Sequence, residues 1–323
     1  MFTFFVPPPP QSSTIERAWT PLDLDPQPFI WLDANDSSTI TTTTVPASGY
    51  DDLRLVEWRS KVGSVAFTPY VARTLHDSYL YLDQDAVDID DGTFITTSTG
   101  NKAVNGNRSY SSGSITGLPT IGLRATFPSR SVKEQTVIAY LQSSSTASTT
   151  GYIYNESSSS TTPVFYTGNY VPLAVTQNKI VGKNADFVSA TSTTTVTGNL
   201  PVDSFKYQLV CTVHDPPEAA TPYIKTYLNG VESDYIASHV LNTTYTCAQI
   251  RQPVGATNAD YATLTTFGQY SCGLTFLLVI DKALSTEDRQ RLEGYLAHEG
   301  NFTDKLQSDH PYRNSRPTIT VTV

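Results

Sequence analysis

Ala283-Leu-Ser-Thr-Glu-Asp-Arg-Gln-Arg-Leu-Glu-Gly-Tyr-Leu-Ala-His-Glu-Gly-Asn-Phe302, continued through Thr303 to Thr318 as TDKLQSDHPYRNSRPT, is the stretch whose reading decides the fold. It follows the strand-like run Thr275 to Ile280 and reads as one capped helix closing a chain of strands. Ser285 and Asp288 form an [ST]-x-x-[DE] capping box, Leu284 sits just before the cap, and Gly300 is placed to end the helix in a left-handed conformation. Leu292, Tyr295 and Leu296 recur at helical spacing, so one face is apolar and must dock. Gly294 between them is expected to allow a close approach of helix to sheet.

Outside this stretch the composition is that of strands. Hydrophobic residues make up 39% of the 323 positions and charged residues only 16%, while Thr, Ser and Tyr dominate the polar positions, which suits strands with a hydroxylated outer face. Runs such as Thr41–Thr44, Ser143–Thr150 and Ser157–Thr162 read as loops or edge strands. The length allows one large sandwich with appendages.

The tail resembles one that recurs in laminin-G-like, concanavalin A-like domains of phage and marine-bacterial structural proteins. Leu284, Arg289, Gln290, Glu293, Gly294, Tyr295, Leu296, Ala297, His298, His310, Pro311 and Tyr312 carry the match. Glu299-Gly300-Asn301-Phe302 stand where that family has K-W-G-L, and Phe302 is read as a partial substitute for its Trp plug. Phe29 to Ile40, FIWLDANDSSTI, resembles the family's opening strand L-W-L-D-A-x-D-x-x-T-I. Between the two ends Trp58, the segment Gly117–Phe127 and the hairpin Tyr227-Leu228-Asn229-Gly230 resemble further family strands, whereas Phe276 stands where the family has an acidic residue. The resemblance implies an all-β, concanavalin A-like jelly-roll β-sandwich with one C-terminal helix and extended terminal arms. It also implies a phage virion structural protein, a capsid decoration or fibre component found in the virion after assembly in a host cytoplasm.

The organisation expected is an N-terminal arm over 1–28, a sandwich over 29–312 with an insertion near 62–116, and a tail strand over 313–323. Phe2, Phe4, Phe5 and Val6 precede Pro7–Pro10, an apolar tip on a polyproline segment that suits an assembly anchor for other virion proteins. Ile319, Val321 and Val323 alternate with Thr in a strand that needs a partner edge, and the expectation is a neighbouring copy; the family resemblance implies that the copies form a homotrimer.

A formal charge of −9, with Lys and Arg never clustered, excludes a nucleic-acid groove, which needs gathered cations against phosphate. No apolar run reaches membrane-spanning length, and the opening residues lack the basic region of a secretion signal. Cys211, Cys247 and Cys272 read as buried free thiols.

The sequence offers residues for four chemistries. The glycosidase branch of the fold uses Glu-x-Asp-x-x-Glu, two carboxylates across the sugar bond, and Glu232-Ser233-Asp234 lacks the third because Ala237 replaces it. No enzyme activity is expected, with a glycosidase of degraded motif as the third alternative. Cys211-x-x-His214 has zinc-like spacing, but strand alternation sends the two side chains to opposite faces. The acidic segment Asp83, Asp85, Asp88, Asp90, Asp91 is a Ca2+ candidate through Asp88, Asp90 and Asp91, with a solvated acidic turn as the competing reading; otherwise no cofactor is expected. Tyr152, Tyr154, Tyr166, Asn169 and Tyr170 have the composition of a carbohydrate-binding surface on an adhesin domain of a phage tail or cell surface that meets a host glycan, although interfaces and plain packing use Tyr in the same way.

Overall fold

The computed structural model describes residues 13–44, 53–71, 80–89, 96–106, 121–143, 150–157, 170–176, 179–185, 193–201, 206–215, 223–237, 243–253 and 272–322. In chain order the strands are β1 (Thr14–Ala18), β2 (Ile30–Asp33), β3 (Ile40–Thr44), β4 (Leu53–Arg59), β5 (Ala66–Val71), β6 (Leu80–Asp83), β7 (Val87–Ile89), β8 (Thr96–Ser98), β9 (Ala103–Gly106) and β10 (Ile121–Val132). They continue as β11 (Gln135–Ser143), β12 (Thr150–Ser157), β13 (Tyr170–Thr176), β14 (Lys179–Ala185), β15 (Thr193–Pro201), β16 (Tyr207–His214), β17 (Tyr223–Leu228), β18 (Val231–Ala237), β19 (Thr243–Pro253) and β20 (Cys272–Ile280). The helix α1 (Thr286–Glu299) and β21 (Thr318–Thr322) follow.

All pairings are antiparallel, and they build a β-sandwich. One sheet runs β18, β17, β16, β11, β20; the far edge of β20 takes β2 and β9 end to end, and β6, β4 and β3 follow. The other runs β5, β10, β19, β12, β13, β14, β15. Strand β5, inside the expected insertion, also pairs with β4 and so ties the two sheets together.

The first sheet is apolar on both faces, which departs from the hydroxylated outer face expected. In β20, Leu277 and Val279 point into the sandwich, while Phe276, Leu278 and Ile280 point the other way; all are buried. The same split places Val137, Ala139 and Leu141 of β11 and Ile30 and Leu32 of β2 inside, and Ile138, Tyr140 and Trp31 outside. Such strands read as unbroken apolar runs because a third layer covers their outer face. That layer is α1, Phe302, Leu306, Trp19 and Leu24.

The helix is capped as expected at its start. The Asp288 amide donates to Ser285 Oγ at 3.1 Å, and the Ser285 hydroxyl donates to Asp288 Oδ2 at 3.1 Å, so the acidic side chain meets the hydroxyl rather than the cap amide. Leu292 and Leu296 are fully buried against the sheet. Their burial is worth about 3–6 kcal/mol together against about 1 kcal/mol for the cap, so docking decides where the helix lies.

Its end differs from expectation. Gly300 has φ −91°, and the left-handed residue is Asn301 at φ 53°. Gly300 is required for space instead, since a Cβ there would sit 2.6 Å from Phe302 and 2.7 Å from Phe276. Phe302 is the plug: 2% exposed, its ring stacks on Tyr140 at 3.7 Å between centroids. Gly294 also differs from expectation, because a Cβ there would meet Tyr312 Cβ at 2.3 Å; the close approach is to the tail, not to the sheet.

The tail strand is corrected as well. Its partner is β1 of the same chain, with Ile15 opposite Val321 and Arg17 opposite Ile319. The reason is local: Trp19 of the supposed arm is buried on the helix layer, and its amide donates to Pro317 O at 2.9 Å, which brings the two segments side by side. Phe2, Phe4, Phe5, Val6 and Val323 lie outside the described residues.

Candidate functional site

Most of the residues that single this chain out are consumed by packing. Glu293 is fully buried on α1, where one carboxylate oxygen pairs with Arg289, a turn earlier, and the other accepts from His310 Nε2 at 3.1 Å. The Tyr312 amide donates to His310 Nδ1 at 3.2 Å, so the proton of the neutral ring sits on Nε2. His298 Nε2 donates to Tyr312 O at 3.0 Å. The turn Asn229-Gly230 lies on this cluster: both residues have positive φ, and a Cβ on Gly230 would lie 3.1 Å from His310. Every oxygen of this buried carboxylate has a partner, which makes it a brace between helix, tail and hairpin.

The opposite end of the chain builds a second brace. Lys61 Nζ lies 3.2 Å from both Asp33 and Asp36 and 4.7 Å above the Trp31 ring. Burial pushes the Asp33 carboxyl up against the attraction of Lys61, whereas the hydrogen bond from Ser38 holds Asp36 down. Asn35 donates to Asn101, and Asn101 donates to Gly300 O at 2.6 Å, so the opening strand and the helix end share one network. Tyr295 packs edge-on against both Trp19 and Trp31, and burial pushes its phenol up to about 12.

A third cluster lies within the sandwich. Glu156 of β12 accepts from Tyr154 Oη at 2.7 Å and Gln135 Nε2 at 2.8 Å, and it pairs with Arg130, which also reaches Asp281 and is covered by the Phe29 ring at 3.9 Å. Burial, outweighing the attraction of Arg130, raises the Glu156 carboxyl. Its second oxygen and Gln135 Oε1 have no partner among the described residues.

This arrangement removes one member from the predicted carbohydrate surface. Tyr154 is fully buried, with its hydroxyl committed to Glu156, so it offers no ring to a sugar. Period-2 alternation had fixed two faces for β12 without telling which one turns inward. Tyr152 lies in β12 and Tyr170 in β13, where it pairs opposite Glu156, and Tyr166 and Asn169 are outside the described residues. Of the Ca2+ candidates, Asp88 sits in a strand opposite Thr97, and Asp90 and Asp91 are outside the described residues. Asp83 accepts from the Asp85 amide in a turn, and among the described residues no cluster of metal-ligating side chains forms. Cys211 packs in the helix-side core, and burial raises its thiol.

What the sequence reading missed is a platform on the helix-side face of β17 and β18. Tyr223, Lys225 and Tyr227 alternate onto one face of β17, with Glu232 of β18 opposite Tyr227. Tyr223 is half-buried, with Lys225 Nζ 5.0 Å from its ring. Glu232, 45% exposed, takes Lys225 at 3.1 Å and the Tyr227 hydroxyl at 3.3 Å, and the Arg289 guanidinium lies 3.9 Å over the Tyr227 ring. Burial raises both phenols, which therefore stay protonated donors. Burial first and the Glu134 charge next raise Asp215, whose amide donates to Tyr223 O at 2.9 Å. A half-open ring beside an ammonium, a carboxylate and hydroxyl donors is the set that holds a polyhydroxylated ligand: ring carbon–hydrogen faces stack, and hydroxyls bond the rim. The available signal was Tyr-x-Lys-x-Tyr followed by an Asn-Gly turn and Glu, which places all four on one surface.

No family model matches the chain, and no curated protein matches it. The resemblance to laminin-G-like phage domains therefore stands on its quoted residues alone; the β-sandwich stands on the structure. Among solved structures, the botulinum neurotoxin type G receptor-binding domain is 6% identical, with 80% of this chain and 49% of that one covered at a TM-score of 0.42. The botulinum neurotoxin serotype C1 binding domain is 13% identical, with 75% and 52% covered at 0.43. The binding domain of botulinum neurotoxin DC, solved in complex with rat synaptotagmin II, is 9% identical, with 80% and 52% covered at 0.40. The chain spans about half the length of the solved chains it matches, and at these scores the likeness carries no functional argument.

Proposed function

We propose that this chain is a non-enzymatic carbohydrate-binding domain of adhesin type, carried by a larger surface particle such as a phage tail. The observation that supports the reading is the β17–β18 platform, where a half-open Tyr223 ring adjoins the Lys225–Glu232 pair. The two motifs that mark the chain are occupied as braces, whereas this hairpin sets an exposed carboxylate beside a half-open ring. The ligand class is a neutral or weakly acidic glycan, since the platform offers a cation, a carboxylate and phenol donors together. A glycan array with the purified chain tests it: one glycan class is bound, and Tyr223→Ala and Glu232→Ala each weaken binding by about tenfold or more while melting with the parent. An array without binding, or variants that bind as the parent does, overturns the reading.

A second reading, a virion decoration or fibre component, is favoured by the β1–β21 ribbon, which lies on the helix layer through Ile319. Locating the protein in a particle, on the head lattice or on the tail, separates the two.

A further inference from the structure

We infer that the outer edge of β21 is a self-association surface, through which two copies of this chain join their ribbons about a two-fold axis into one four-stranded antiparallel sheet, β1–β21 of one copy continuing into β21–β1 of the other. The inference is independent of the glycan reading. It starts from an edge that lacks protection. Among the described residues β1 and β21 form a sheet of only two strands, so the edge of β21 away from β1 has no ladder partner. Two-stranded ribbons are marginal by themselves, and edges in water are ordinarily blunted by charge, proline or a bulge. Thr318-Ile319-Thr320-Val321-Thr322 has none of these, and its register with β1 runs through all five pairs without a shift.

The occupant follows from the register. In an antiparallel pairing of β21 with its copy centred on Thr320, Thr320 faces Thr320, Ile319 faces Val321, and Thr318 faces Thr322. Opposite residues of an antiparallel pair share a face, so apolar meets apolar and hydroxyl meets hydroxyl along the whole strand. A two-fold axis requires such self-complementarity. The apolar side also continues onto β1, where Ile15 lies opposite Val321 and is 50% exposed, so the joined sheet would carry one continuous apolar face. Charge does not oppose the pairing: Glu16 lies opposite Thr320 on β1, and the two Glu16 residues would be three strand spacings apart, about 14 Å, beyond the screening length of about 8–10 Å. With five residues per strand the contact is small, and it gains strength where copies are already held together on a particle.

Sedimentation of the full chain from micromolar to millimolar concentration, with two register-specific variants, decides it. A monomer–dimer equilibrium is expected, and Thr320→Lys, which sets two ammonium groups face to face at the axis, weakens it by about tenfold or more with an unchanged circular dichroism spectrum. Under oxidation Thr320→Cys is expected to cross-link in pairs far faster than either Thr318→Cys or the unsubstituted chain. A monomer throughout the range, association that ignores Thr320→Lys, or equal cross-linking at 318 and 320 overturns the inference.

Discussion

Glu293 and Glu156 are both fully buried carboxylates paired with arginine, and they are satisfied in opposite degrees. Glu293 has a partner on each oxygen, from Arg289 one turn away and from His310 of the tail. Glu156 gathers three donors on one oxygen and leaves the other without a partner among the described residues. The difference shows which buried charge the fold is built around. A carboxylate with both oxygens bonded braces the elements that supply its donors, while one left half-bonded in low dielectric favours its proton.

Three substitutions sharpen the contrast, from the largest expected loss to the smallest. Glu293→Ala leaves the Arg289 cation and His310 buried without their common acceptor, and it should cost about 3–5 kcal/mol in urea unfolding. A cost below about 1 kcal/mol would mean that the brace is ornamental. Leu296→Ala empties a fully buried site between α1 and the sheet and should cost about 2–5 kcal/mol by the same measurement; a loss near half a kcal/mol would mean that the helix is not docked. Gly300→Ala drives a methyl group into the Phe302 and Phe276 rings and should cost about 1–3 kcal/mol, seen as a lower midpoint with the Tyr140–Phe302 stack disturbed in near-ultraviolet circular dichroism.

How far each cluster could be read beforehand follows from how its residues are spaced. The Glu293 brace is local: Arg289, Glu293 and the H-P-Y segment fall within one short stretch, so cap, apolar face and Phe302 plug were all legible there. Apart from Tyr154, two residues away on the same strand, the Glu156 cluster draws Arg130 and Gln135 from other strands and Asp281 from the loop after β20, and no spacing rule links these. Alternation in β12 and in β21 was equally plain, yet it specifies neither which face turns inward nor which edge is found. Hence Tyr154, expected on the surface, lies in the core, and β21, expected on a neighbour, pairs with β1. The platform on β17 is hard to read because Glu232 also belongs to an incomplete catalytic string, and pairing across the Asn229-Gly230 turn is what sets it opposite Tyr227.

The measurement that tests the contrast most directly is urea unfolding of the parent chain and Glu156→Gln across the pH range from the ordinary glutamate region to neutrality. Burial raises the folded-state carboxyl of Glu156, so the native chain keeps a proton that the unfolded chain has already released. The stability this group contributes is complete below the unfolded-state value and is lost as the pH rises through the folded-state one. The amide of Glu156→Gln does not titrate, so the parent's advantage over the variant should shrink steadily as the pH rises. A gap that stays constant or widens toward neutral pH would contradict the account.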